Sequence, residues 1–170
     1  NSFAGDSYII YGTNSYPSSI RLSSLTPTQG FTITGAAAGD SSGKSVSSAG
    51  DFNGDSFNDI IIGAPGANNQ AGSSYIIYGT NSYPSSISLS SLTAAQGLII
   101  YGGYSTVGYD YSGSAVSSAG NFNGDSFNDI IIGAPFANNR IGDSYVIYGT
   151  NSYPNSISLS SLTASQGFAI

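Results

Sequence analysis

Oxygen-bearing side chains recur at short, regular spacing in one nine-residue segment, Asp51-Phe52-Asn53-Gly54-Asp55-Ser56-Phe57-Asn58-Asp59. Asp51, Asn53, Asp55 and Asp59 hold positions 1, 3, 5 and 9, and Phe57 at position 7 can add its backbone carbonyl. An oxygen-only set on a short loop is what a hard cation such as calcium takes. The segment is not an EF-hand, because position 12 is Ile62 where a bidentate Glu should stand. The chain has no His and no Cys, so zinc and copper lack their usual ligands. A second copy runs from Asn121 to Asp129, with Asn123, Asp125 and Phe127 in the same places. Asn121 replaces the first carboxylate there, so weaker binding is expected. Asx-rich turns use the same residue types, yet these two loops hold five of the nine acidic residues at one place in a repeat. Two calcium sites are expected.

The rest of the catalytic vocabulary is thin. Without His, Cys or Glu, acid–base work would fall to Asp, Tyr or the single Lys44. Most Asp residues already belong to the two loops, and a non-enzyme is expected. A net charge of −6 with three cations, Arg21, Lys44 and Arg140, leaves no footprint for nucleic acid. No apolar run reaches the roughly 18 residues a membrane-spanning helix needs.

The elements that hold the loops repeat as well. Tyr11-Gly12-Thr13-Asn14-Ser15-Tyr16-Pro17 returns at Tyr78, 67 residues on, and again at Tyr148, a further 70. So long a period filled with short strands indicates propeller blades rather than a thin solenoid. Charged residues are only 7% of the chain, yet the 39% apolar residues cluster as Ile, Val and Tyr, which argues for a folded all-β chain. Four strands per unit are expected, at 44–49, 59–62, 74–78 and 98–101, then at 114–119, 129–132, 144–148 and 168–170. A half unit with strands at 7–11 and 31–34 precedes them. The division is thus a partial blade over 1–34 and full blades over 35–101 and 102–170, about two and a half blades. Known propellers have at least four blades, so a piece of a longer protein is expected, or strands borrowed from other copies. No helix is expected between the strands. The longest connection, Gly79 to Gly97, carries Ile87, Leu89 and Leu92, which are expected to pin it to the blade.

Gly63-Ala64-Pro65 and Gly133-Ala134-Pro135, each just after an Asp/Asn loop, resemble the FG-GAP repeat of integrin α subunits and their bacterial relatives. The Phe-Gly of that repeat reads Ser42-Gly43 and Ser112-Gly113 here, and the Gly usual after the third calcium ligand is Ser56 or Ser126. The second change strains the loop if φ is positive there. The resemblance implies a seven-bladed ring of four-stranded antiparallel blades, with calcium loops on a lower face. It implies ligand contact on the upper face, through 35–43 with 102–113 and through 64–72 with 134–142.

Comparison of the repeats points the same way. Gly79 to Thr93 differs from Gly149 to Thr163 only at Ser85 against Asn155, whereas the upper loops differ in length and content. Tyr101, Tyr104, Tyr109, Asp110, Tyr111, Phe136 and Arg140 are the candidate contact residues, because Tyr offers area at small entropy cost. The expected role is an extracellular or cell-surface recognition module for a protein or glycan, with calcium supplied at the millimolar level found outside cells. The alternative is a structural subunit of a wall, matrix or filament that packs against other copies of itself, favoured by the low charge.

Overall fold

A computed structural model describes residues 3–15, 17–103 and 109–170. Twelve strands run through them: β1 (Asp6–Ile10), β2 (Gly30–Thr34), β3 (Ser45–Gly50), β4 (Asp59–Ala64), β5 (Ser73–Ile77), β6 (Ser86–Ser88), β7 (Gly97–Tyr101), β8 (Ala115–Gly120), β9 (Asp129–Ala134), β10 (Asp143–Ile147), β11 (Ser156–Ser158) and β12 (Gly167–Ala169). The chain is all-β, and its units are antiparallel propeller blades. One blade is β3-β4-β5-β7, the next is β8-β9-β10-β12, and β1-β2 is the outer half of another.

The central strands carry an unbroken Ile run because both their faces are covered. Ile61 of β4 packs in the core shared with the following blade, together with Ile76, Leu98, Ile130 and Ile132. Its neighbour Ile62 points the other way, into the core shared with β1-β2, beside Phe31, Ile33 and Tyr75. The apolar layers therefore lie between blades, and stacking the blades forms them. Inner strands β3 and β8 read Ser-Val-Ser-Ser and Ala-Val-Ser-Ser, a pattern suited to a strand with one solvated edge. Each ends in a bulge, where Gly50 and Gly120 take φ 65° and swing the chain out of the ladder. That conformation needs Gly, and it delivers the chain into the two Asp/Asn loops.

The long connection is pinned to a blade, and the blade is the preceding one. β6 adds parallel to β2 with Ile87 opposite Ile33, and β11 adds parallel to β7 with Ile157 opposite Ile100. Leu89 and Leu92 sink into the same inter-blade core as Ile33. The outer edge of a fourth strand offers unpaired backbone groups, and the groove beside it accepts the apolar side chains. Tyr83 and Tyr153 cross with the connection, stacking on Phe31 (centroids 4.5 Å apart) and Phe52 (5.8 Å).

Against the expectation of no helix, four short helical turns occur among the described residues: 3₁₀ turns at Leu22–Ser24, Leu89–Ser91 and Leu159–Ser161, and one further turn, α1 (Ala137–Arg140). α1 is left-handed at Asn138 (φ 51°, ψ 56°) and Asn139 (φ 59°, ψ 36°). Asn68, Asn69 and Gln70 of the other repeat take the same hand, with φ of 52°, 53° and 67°. Among the described residues no helix is long and apolar enough to cross a membrane.

Candidate metal loops and recognition face

The nine-residue loops leave the bulges and return into β4 and β9. In the first, Asp51 Oδ2 accepts the Ser56 N–H at 2.9 Å, while its Oδ1 is buried with no partner. Asn53 and Asp55 hold each other: the Asp55 N–H donates to Asn53 Oδ1 (3.1 Å) and Asn53 Nδ2 to Asp55 Oδ2 (2.9 Å). Asp55 Oδ1 accepts the Phe57 N–H at 2.8 Å. Asp59 is 1% exposed, and its two oxygens accept N–H groups from Phe52 (2.8 Å) and from Gly79 (2.7 Å). Burial pushes the Asp59 carboxyl up to about 6 and the nearby Asp55 charge adds to the rise, against the pull of those two N–H groups. Asp59 thus clamps the loop to the start of the long connection, a structural task that its place in the motif did not reveal.

The second loop repeats this plan. Asp129 accepts from Phe122 (2.6 Å) and Gly149 (2.8 Å), and Asp125 pairs with Asn123 and Phe127 as Asp55 does with its counterparts. The difference lies at position 1. Asn121 Oδ1 accepts the Gly124 N–H (2.7 Å) and the Asp125 N–H (3.0 Å), so its oxygen is engaged where Asp51 keeps one unpaired. Among the described residues, no group of three or more acidic side chains is gathered closely enough to hold a metal by carboxylates alone. The donor set remains all oxygen, and a buried unpaired carboxylate oxygen costs free energy unless a cation or donor meets it. On that chemistry the first loop fits calcium.

The two loops also touch. Asp51 N–H donates to Asn128 Oδ1 (2.8 Å), and Asn128 N–H donates back to the Asp51 carbonyl (2.9 Å). The Phe127 ring lies over Gly54, where a Cβ would collide with it. Asn128 was missed from sequence; its only signal is that Asn recurs at the eighth position of both loops, a non-ligand place. Asn128→Ala removes one bond and strands a donor, so a loss of about 1–2 kcal/mol is expected in urea unfolding.

Ser56 and Ser126 do sit at positive φ, 73° and 93°. Left-handed backbone costs a non-Gly residue roughly 1–2 kcal/mol. Glycine forfeits about 0.4–1 kcal/mol through the unfolded chain. Ser126→Gly is therefore expected to raise stability by about 0.5–1 kcal/mol, read as a higher urea midpoint.

The opposite end of the blades gathers the upper loops. Tyr109 and Tyr111 meet edge to face at 6.2 Å, and Tyr111 meets Phe136 likewise at 5.5 Å, with Arg140 beside them around a cavity of about 250 Å³. Asp110 is not on this surface. It is 5% exposed, its carbonyl accepts the Phe136 N–H at 3.3 Å, and its Oδ1 has no partner. Burial raises its pKa and Asp143 adds to the rise. Tyr101 stands apart at the end of β7, opposite Ser73, and Tyr104 lies outside the described residues. A larger cavity, about 840 Å³, opens between the loops of successive units and is lined by Asp40, Lys44, Asn69, Gln70, Tyr111 and Phe136 among others.

Both structural repeats match the FG-GAP repeat model, over residues 42–77 and 112–147. The chain carries two FG-GAP repeats. Each matched span takes in one Asp/Asn loop and the first three strands of a blade, and stops before the connection that carries β6 or β11. The FG-GAP chain is also 34% identical to mouse (Mus musculus) integrin alpha-M over 92 residues, which are 54% of this chain and 7% of that protein. It therefore spans a small fraction of that relative.

Proposed function

We propose that this FG-GAP chain is a calcium-stabilised, non-catalytic recognition module of an extracellular or cell-surface protein. The observation that carries the reading is the contrast between its two ends. At one end the Asp/Asn loops and the connections are nearly identical from repeat to repeat. At the other, the loops diverge and bring together an aromatic cluster and the larger cavity. A constant end suits a scaffold, and a variable end suits recognition. The likeness to an integrin α subunit supports the extracellular or cell-surface setting.

Calcium would be held by Asp51, Asn53, Asp55, Asp59 and the Phe57 carbonyl, and by Asn121, Asn123, Asp125, Asp129 and the Phe127 carbonyl. The bound ion supplies positive charge among these carboxylates. The protein's own part is to shape the loops through the Asp59 and Asp129 clamps and to join them through Asn128.

Calorimetric titration with calcium tests the proposal. Two sites of unequal affinity are expected. Asp51→Asn copies the second loop's ligand set into the first, and should weaken the stronger site by about tenfold or more. No binding at millimolar calcium would end the metal reading.

Self-assembly is the second reading, and one observation favours it. Only 7% of the residues are charged, so few like charges oppose dense packing of one copy on another. Sedimentation at rising concentration separates the readings: a constant mass favours recognition, and regular growth favours assembly.

A further inference from the structure

The 840 Å³ cavity at the variable end has a lining that points to one kind of ligand. Ligand sites of roughly 300–1,000 Å³ are usually lined mainly by apolar side chains. Here no aliphatic side chain larger than proline takes part; beside Ala37, Ala38 and Pro65 the wall is built of amides, hydroxyls, one carboxylate, one ammonium and two aromatic rings. Asp40 and Lys44 bring one charge of each sign. The cavity therefore has no excess charge to draw a phosphate or a cation. It also lacks the apolar pocket that an aliphatic peptide anchor would fill. Planar amides beside a carboxylate and an ammonium can both donate to and accept from neighbouring hydroxyl groups. The rings of Tyr111 and Phe136 stand edge to face, and Phe136 is 47% exposed, leaving aromatic surface for an apolar ring face.

The backbone under this lining is held in a costly shape. Asn68, Asn69 and Gln70 are left-handed in succession, and Ser41 (φ 54°) and Tyr111 (φ 51°) on the facing loops are left-handed too. All five line the cavity. L-residues visit this region singly as a rule, and residues so strained persist where neighbours over-determine them, often at ligand sites. The neighbours here are visible. Gln70 N–H donates to the Gly66 carbonyl (3.2 Å), Gly72 N–H to the Ala67 carbonyl (3.0 Å), and Tyr111 N–H to the Gln70 carbonyl (3.1 Å). The Tyr111 hydroxyl donates to Gln70 Oε1. This second bond between the loops joins one repeat to the next, so the cavity is set before any ligand arrives.

We infer that this cavity binds a short neutral glycan, with Asn69 and Gln70 reading vicinal hydroxyls and Phe136 packing against a sugar ring. The inference rests on the recognition reading above and names its ligand class. Two variants probe it. Asn69→Gly removes one amide from the wall, and glycine accepts the local φ of 53° without strain. Phe136→Ala removes the exposed ring.

The experiment titrates the calcium-loaded chain with cellotriose, maltotriose and laminaritriose, followed by tyrosine fluorescence, since the chain has no Trp. In parallel, a random peptide library is selected on the same chain. The expected result is saturable binding of at least one trisaccharide, weakened about tenfold or more in both variants while their thermal melts match the wild type. Saccharide binding that neither variant alters would overturn the assignment to this cavity. No trisaccharide binding, with library peptides that bind wild type and fail on both variants, would overturn the glycan class and leave the recognition face standing. If no probe of either kind bound, the recognition reading itself would fall.

Discussion

Chelating calcium from this chain is expected to lower its melting temperature by roughly 10–20 °C. A ligand that binds only the folded state stabilises it by mass action, by about 2.7 kcal/mol at a hundredfold excess over Kd. For a chain of about this size, 1 kcal/mol shifts Tm by roughly 2–4 °C. Two filled sites give the range, and the weaker second loop favours its lower end. The structure gives a reason for the effect to be global. Each loop is clamped by Asp59 or Asp129 to the end of the third strand of its own blade. The two loops are bonded to each other across the blade interface through Asn128 and Asp51. Loosening one loop therefore loosens the joint between blades. The check is a thermal melt followed by circular dichroism, with EGTA and then with calcium restored. Magnesium should restore less, because it demands tighter octahedral geometry and keeps its water. A melt unmoved by EGTA would defeat the calcium assignment.

Phe52→Ala is expected to cost about 3–5 kcal/mol, whereas Phe122→Ala, at the same position of the next repeat, should cost about 0.5 kcal/mol or less. The two residues are identical in type and in local sequence, Asn53-Gly54 following one and Asn123-Gly124 the other. Phe52 is fully buried, while Phe122 is 58% exposed. Phe52 stacks on Tyr153, which the long connection of the next unit carries across the blade interface. Truncation there leaves a cavity between two sheets that cannot close without moving a blade. Phe122 touches Phe168 at 6.0 Å and faces solvent for the rest. Urea unfolding of both variants measures the difference. Equal losses would mean that stacking between blades does not carry the core.

Much of the fold was legible because the repeat states it more than once. The expected strand at 59–62 runs on to Ala64, since Gly63 and Ala64 pair with Ser74 and Ser73. The last strand is Gly167–Ala169 rather than 168–170, with the shift one residue long. β6 and β11 were not legible. Each is Ser-Ile-Ser, three residues with no pattern of their own, and their pairing partner is a strand in another blade. The left-handed turn at α1 was equally hidden, because its shape depends on hydrogen bonds rather than on helical period. In the site, the oxygen-bearing spacing marked both loops. It did not show that Asp59 spends both oxygens on N–H groups, or that Asp110 is buried behind the aromatic cluster.

The all-β character, the period of the units, the places of the two oxygen-rich loops and the end at which the repeats diverge are written in the order of residues. These are local properties: β-branched runs, turn residues and ligand spacing act within a few residues along the chain. Which identical residues are buried, which blade each connection grips and which upper-loop residues share a cavity emerge from packing alone. Those follow from the stacking of one unit on the next, and Phe52 and Phe122 differ only in what stands opposite them.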